Sequence, residues 1–238
     1  MYQPRTYRRW VQSQELVLFN VIHKETDLYI GASKNLTQET IRLLLELRTG
    51  LDNYIINHDD FLSSLKPLKV SDNAPDIVKE MAWAAAKAGV GPMAAVAGAI
   101  AEYIGRGLSD FSQEVIVENG GDIYLKSLRQ RKVAIYAGDS PLSGNITLLI
   151  KAEDMPLGVC TSSGTVGHSL SFGRADAAVV VSKSASLADA VATATGNRVS
   201  KVGDIQKGLD YACSIPGVLG AIIIKGDKIG IRGDIEIA

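Results

Sequence analysis

From Pro92 to about Ile104 the chain reads as a helix with an interior of very small side chains: Ala94, Ala95, Ala97, Gly98, Ala99 and Ala101. Glycine inside a helix costs roughly 1 kcal/mol relative to alanine. The expected reason for keeping Gly98 is close approach of another backbone or of a ligand. A fold containing this helix must therefore bring something tightly against it. A second small-residue helix runs from about Leu187 to Ala194.

The flanking segments supply the partners. Leu16–Ile22 and Asp27–Ala32 read as strands joined around Lys24-Glu25-Thr26. Asn35 followed by Gln38 reads as a helix start, with Ile41, Leu44, Leu45, Leu47 and Leu51 at helical spacing and Gly50 as an expected interruption. Helix resumes to Leu65, and 66–74 reads as a polar loop. Pro75 opens a helix over 76–88 that Gly89 ends. Strands then fit 114–118, 122–128, 132–136, 146–150, 157–161 and 177–182. A helix over 204–214 stops before Pro216, and a hairpin over 221–225 and 228–232 closes the chain. In each half a small-residue helix precedes a strand that meets a Gly-Asp turn, Gly120-Gly121-Asp122 in one and Gly226-Asp227 in the other, which raises the expectation of an internal duplication. Hairpins with helices grouped between them indicate an α+β chain with antiparallel sheets.

At 238 residues with 46% hydrophobic side chains, the sequence reads as one folded domain over 1–238. A net charge of -1 gives no positive field for nucleic acid or an anionic membrane, despite Arg5, Arg8 and Arg9 near the N-terminus. No apolar targeting segment or membrane-length run is present, and two cysteines, Cys160 and Cys213, fit a reducing compartment. The expectation is a cytoplasmic protein with no nucleic-acid or membrane partner.

P-loop, G-x-S-x-G, H-E-x-x-H and C-x-x-C signatures are absent. Gly89, Gly91 and Ala94 match only the loosest dinucleotide pattern and follow a helix instead of the strand that the fingerprint needs. Three other places carry chemistry. Glu118-Asn119-Gly120-Gly121-Asp122 ends an apolar strand; its glycines admit an anion or a flat ring, and Asp122 could hold a ribose hydroxyl or a metal-bound water. The same residues also suit a tight hairpin. Thr161-Ser162-Ser163-Gly164-Thr165-Val166-Gly167-His168 offers donors to phosphate oxygens and an imidazole able to move a proton near neutral pH. Asp189 and Thr193 share one helix face and suit a hard cation such as Mg²⁺; alternatively Ser186-Leu187-Ala188-Asp189 is a capping box. Cys160 could carry sulfur or a redox load if its thiol pKa were lowered, or serve as a small apolar residue at a strand end. Cys213 reads as core.

Taken in order, Val117-Glu118-Asn119-Gly120-Gly121-Asp122-Ile123, Thr161-Ser162-Ser163-Gly164 before His168, and Ala188-Asp189-Ala190-Val191-Ala192-Thr193-Ala194 resemble ApbE-type flavin transferases. The sequence is more similar still to a small uncharacterised cytosolic family related to them, which shares the Pro92-to-Gly98 helix and the hydroxyl loop. The resemblance implies a T-fold-like α+β architecture. It also implies Mg²⁺ and FAD as cofactors, with FMN attached to a threonine or serine of a target protein. By carry-over, Asp189 and Thr193 are metal ligands, and Asn119, Gly120, Gly121 and Asp122, with Thr161, Ser162, Ser163 and Gly164, face the flavin nucleotide. His168 matches the histidine opening the family's H-x-x-D-P-x-T-G segment, but Ser169-Leu170-Ser171-Phe172-Gly173-Arg174 then lacks the aspartate, proline and threonine. The functional expectation is a Mg²⁺-dependent flavin- or nucleotide-binding protein with a degenerate catalytic segment. Two alternatives stand beside it: a sulfur-transfer or redox protein acting through Cys160, and a non-catalytic binding module that assembles as a homo-oligomer.

Overall fold

The computed structural model describes residues 15–164 and 173–238. Its order opens with the hairpin β1 (Val17–His23) and β2 (Thr26–Ala32), closed at Lys24, whose φ of 52° suits the tight turn. Helices α1 (Thr37–Asn57), α2 (Asp59–Ser63), α3 (Asp76–Ala88) and α4 (Val96–Leu108) follow, and then the hairpin β3 (Val115–Asn119) and β4 (Asp122–Lys126). After β5 (Arg131–Ala134) and β6 (Thr147–Ile150) the opening pattern recurs. Strands β7 (Leu157–Ser162) and β8 (Ala177–Ser182) lead to α5 (Ala185–Gly196) and α6 (Ile205–Ser214), and the hairpin β9 (Val218–Lys225) and β10 (Lys228–Gly233) ends it. A two-residue strand, β11 (Glu236–Ile237), follows.

Eight strands form one antiparallel sheet in the order β1-β2-β3-β4-β7-β8-β9-β10, and β11-β6-β5 form a small second sheet. The strand pleat sorts side chains to two faces. Val115, Val117, Tyr124, Cys160, Val180 and Ile223 enter the core beneath the helices. Leu125, Val159, Val179, Val181, Ile222 and Ile224 pack against Leu148 and Ile150 of the small sheet and Ile135 just after β5. The architecture is therefore α+β: helices, large sheet, small sheet.

Three local expectations change. Gly50 does not interrupt α1, because burying Leu44 and Leu51 outweighs one glycine's helix penalty of roughly 1 kcal/mol. Asn35 does not make a capping box with Gln38; its Oδ1 accepts from the N–H and the hydroxyl of Thr37 at 2.9 and 2.7 Å, an Asx turn leading into α1. Pro92 opens a 3-10 turn over Pro92–Ala95 before α4 begins.

Gly98 meets the close approach expected of it. A Cβ there would stand 2.3 Å from the Ala185 carbonyl oxygen and 2.8 Å from Asp189 Cβ, so α4 and α5 cross in direct backbone contact. Gly158 plays the same part on the sheet side, where a Cβ would lie 2.3 Å from Ala185 Cα. Among the described residues no single helix is long and apolar enough to cross a membrane; the bent pair Asp76–Ala88 and Pro92–Leu108 has the composition but breaks by 101°.

Candidate functional site

The tight crossing of α4 on α5 places polar groups from four elements together at the ends of β3 and β7. Asn119 pairs with Asp122 across a two-residue turn, Gly120-Gly121, whose φ values of 70° and 102° are those of a I′ hairpin. That turn ties itself down: Gly121 N–H donates to Glu118 Oε1 at 2.8 Å. Asn119 Nδ2 donates to the Ala97 carbonyl at 3.1 Å, joining the turn to the start of α4.

Asp122 projects from the first residue of β4 and accepts from Thr161 N–H of neighbouring β7 at 3.3 Å. Asp189, on α5, accepts from Gly98 N–H of α4 at 2.9 Å. Both carboxylates are buried. Burial, reinforced by the charge of Asp189, holds the Asp122 carboxyl well above the usual carboxylate range. Burial also pushes Asp189 up to about 7, outweighing the backbone donors of Gly98 and Ala97. Two acids that repel each other in a dry site are a poor way to hold a fold together, and their arrangement needs a compensating cation or proton.

Cys160 lies beneath this pair. Its Sγ donates to the Ala185 carbonyl at 3.2 Å, and it is fully buried. Burial, together with the carboxylates of Asp122 and Asp189, pushes its thiol well above the ordinary range. That is the opposite of the lowering that nucleophilic cysteines need, so its place here is that of a protonated donor and core residue.

The other residues singled out in the sequence are divided. Thr193 sits one turn beyond Asp189 on α5, half-buried, with its carbonyl accepting from Asn197 N–H at 3.0 Å. Ser162 is buried against the end of α5, where a Cβ on Gly196 would stand 3.5 Å from its Oγ. Gly164 N–H donates to the Ala175 carbonyl at 2.9 Å, and Ser163 is half-buried beside it. His168 lies outside the described residues. The capping-box reading of Ser186 to Asp189 fails: the cap of α5 is Ser184, whose side chain accepts from Leu187 N–H at 3.2 Å, and Asp189 is turned toward α4. Sequence reasoning missed Glu118 as the buried brace of the glycine turn, and Gly173, where no side chain fits because a Cβ would stand 1.8 Å from the Gly196 carbonyl oxygen.

Among the described residues no group of three or more His, Cys, Asp or Glu side chains is placed to hold a metal ion. The described residues therefore do not build a closed protein cage of the structural-zinc kind. Mg²⁺ asks for less: one or two carboxylates, with water and substrate phosphate completing its shell. Asp122 and Asp189 are buried hard oxygen donors from separate elements, and they fit that ion.

A protein-family model described as AbpE bacteria matches residues 8–224. The chain belongs to this family. Among similar proteins, a UPF0280 protein of Methanococcus aeolicus is 45% identical over 216 residues, covering 89% of this chain and 84% of the relative. One from Methanocaldococcus jannaschii is 41% identical over 222 residues, covering 90% of each. The fold is that of solved ApbE structures. The flavin transferase ApbE from Vibrio cholerae superposes with a TM-score of 0.61 at 14% identity, covering 92% of this chain and 97% of that one. The ApbE protein from Thermotoga maritima gives 0.61 at 11% identity, with 90% and 96% covered. At such identity the likeness establishes the architecture, and the site chemistry has to be argued from the residues of this AbpE-family chain.

Proposed function

We propose that this protein binds a flavin nucleotide, FAD in the first instance, together with Mg²⁺ at the carboxylate pair of Asp122 and Asp189. The observation that carries the reading is the convergence of two buried, mutually repelling carboxylates from separate elements beside a glycine turn open to a ligand. Kinship to structures described as flavin transferases selects the nucleotide class.

In this reading Asp122 and Asp189 hold the cation. Gly98 N–H and Thr161 N–H fix which carboxylate oxygens are turned away from it. The Gly120-Gly121 turn lets the nucleotide approach the backbone, braced from behind by Glu118. Bound there, Mg²⁺ would neutralise charge on the pyrophosphate. The proposal is of binding and not of transfer, since Ser169 to Arg174 departs from the family's catalytic segment. The thiol alternative loses support from the buried, protonated state of Cys160.

The test is a melting and absorbance titration with FAD, MgCl2 and both. The expected result is stabilisation by FAD that requires Mg²⁺ and is lost in Asp189→Asn. Equal melting curves with and without the ligands, or an unaffected variant, would overturn the reading; release of AMP from FAD would extend it to transfer.

A further inference from the structure

Glu102 is the one acidic residue inside α4, and it is almost completely buried, with 1% of its surface exposed. Its Oε2 accepts from Ala185 N–H at 2.7 Å and Ser186 N–H at 3.3 Å, the first amides of α5, and from the Ser184 hydroxyl at 3.3 Å. Arg106, one turn along α4, pairs with Glu102 and lies 3.7 Å from Glu80 Oε2, while Glu80 Oε1 accepts from Ser186 Oγ at 2.8 Å.

This carboxylate does more than cap a helix. Gly98 and Glu102 stand four residues apart on α4, and Ala185 and Asp189 stand four apart on α5. Gly98 bonds to Asp189 while Glu102 bonds to Ala185, so the two helices are clamped at successive turns in antiparallel sense. Ala185 is fixed from below as well, by the Cys160 thiol on its carbonyl and by the contact with Gly158. With its amide held by Glu102, the first turn of α5 is anchored to α4, and Asp189 is one turn away.

We infer that Glu102 is a positioning residue for the cation site: its reach to the Ala185 amide sets where the Asp189 carboxylate stands. The inference rests on the metal-binding reading above and adds a residue that would not touch the metal. Outer residues that orient metal ligands typically change affinity by about 10- to 100-fold when altered.

The test uses Mn²⁺ as the probe, with the free-ion electron paramagnetic resonance signal reporting affinity on the full chain. Glu102→Asp keeps the charge and withdraws it from Ala185; Glu102→Gln keeps an acceptor within reach. We expect Asp to weaken Mn²⁺ binding by about tenfold or more and Gln to stay near the wild type. Leu51→Ala, at a buried position of α1 that makes none of the clamp's hydrogen bonds, supplies a variant of lowered melting temperature for comparison. Wild-type affinity in Glu102→Asp overturns the inference, as does an equal affinity loss in Leu51→Ala. If the wild type binds no Mn²⁺, or Asp189→Asn binds it equally well, the site reading itself fails and the positioning role falls with it.

Discussion

Replacing Asp189 by asparagine should make the ligand-free protein more stable at pH 8 and leave it almost unchanged at pH 4. The Asp189 carboxyl is raised from 3.8 to about 7 by burial. The folded state therefore holds this proton more tightly than the unfolded chain does, and its contribution to stability is complete below pH 4 and lost as pH rises through 7. At 1.36 kcal/mol per pH unit, that difference amounts to on the order of 4 kcal/mol. For a chain of this size each kcal/mol moves the melting temperature by roughly 2–4 °C, so the variant should melt on the order of 10 °C higher at pH 8. The assay is urea and thermal unfolding of both proteins from pH 4 to 8 in a chelator. Taking the difference between the two curves removes groups whose surroundings the substitution leaves alone, such as Glu102, whose carboxyl burial also raises. Asp122, no longer facing a second charge, should titrate at lower pH in the variant. Adding Mg²⁺ at pH 8 should recover the wild type and leave the variant unmoved, by linkage of binding to folding. Stability curves that run parallel from pH 4 to 8 would refute the reasoning.

Further outcomes follow from single contacts. Gly98→Ala should cost about 1–3 kcal/mol in urea unfolding, since its Cβ would stand 2.3 Å from the Ala185 oxygen and force α4 off α5. Gly121→Ala should destabilise by about 1–3 kcal/mol, because the site is open but φ is 102°, with unfolding monitored by circular dichroism. Ser184→Ala should remove about 1 kcal/mol of capping from α5, measured the same way. A thiol reagent should modify half-buried Cys213 first and reach Cys160 only on unfolding; rapid native labelling of Cys160 by peptide mass mapping would restore the thiol reading.

Much of this fold is legible from local pattern. Ala177–Ser182 is read to the residue, and the neighbouring strands to within a few residues, because the β-branched run Val179-Val180-Val181 lies between the polar residues Asp176 and Lys183-Ser184. The Gly120-Gly121 turn declares itself through a dipeptide that a I′ hairpin favours. Gly98 is legible as a close approach, but its partner is not: Asp189 lies 91 residues away, and only the crossing of α4 with α5 brings them together. Glu102 left a weak signal, a lone acid one turn after Gly98 in an apolar helix, and nothing local says that it reaches α5. The cap of α5 is not legible because Ser184 and Ser186 both suit it locally; in the fold Ser184 takes it, two residues after β8 ends. Glu236–Ile237 is too short to show any period.

The recurrence of hairpin, helices and hairpin along the chain has a consequence for how the candidate site comes into being. Asp122 belongs to the last strand of the first unit and Asp189 to the first helix of the second, with the β4–β7 pairing as the seam between them. Neither unit carries the pair alone. Closing that seam takes both carboxyls out of water, the same burial that raises their pKa, and a cation captured there would offset that cost. Ion binding would thus report on the docking of one half against the other, and ligand and fold would mature in a single event.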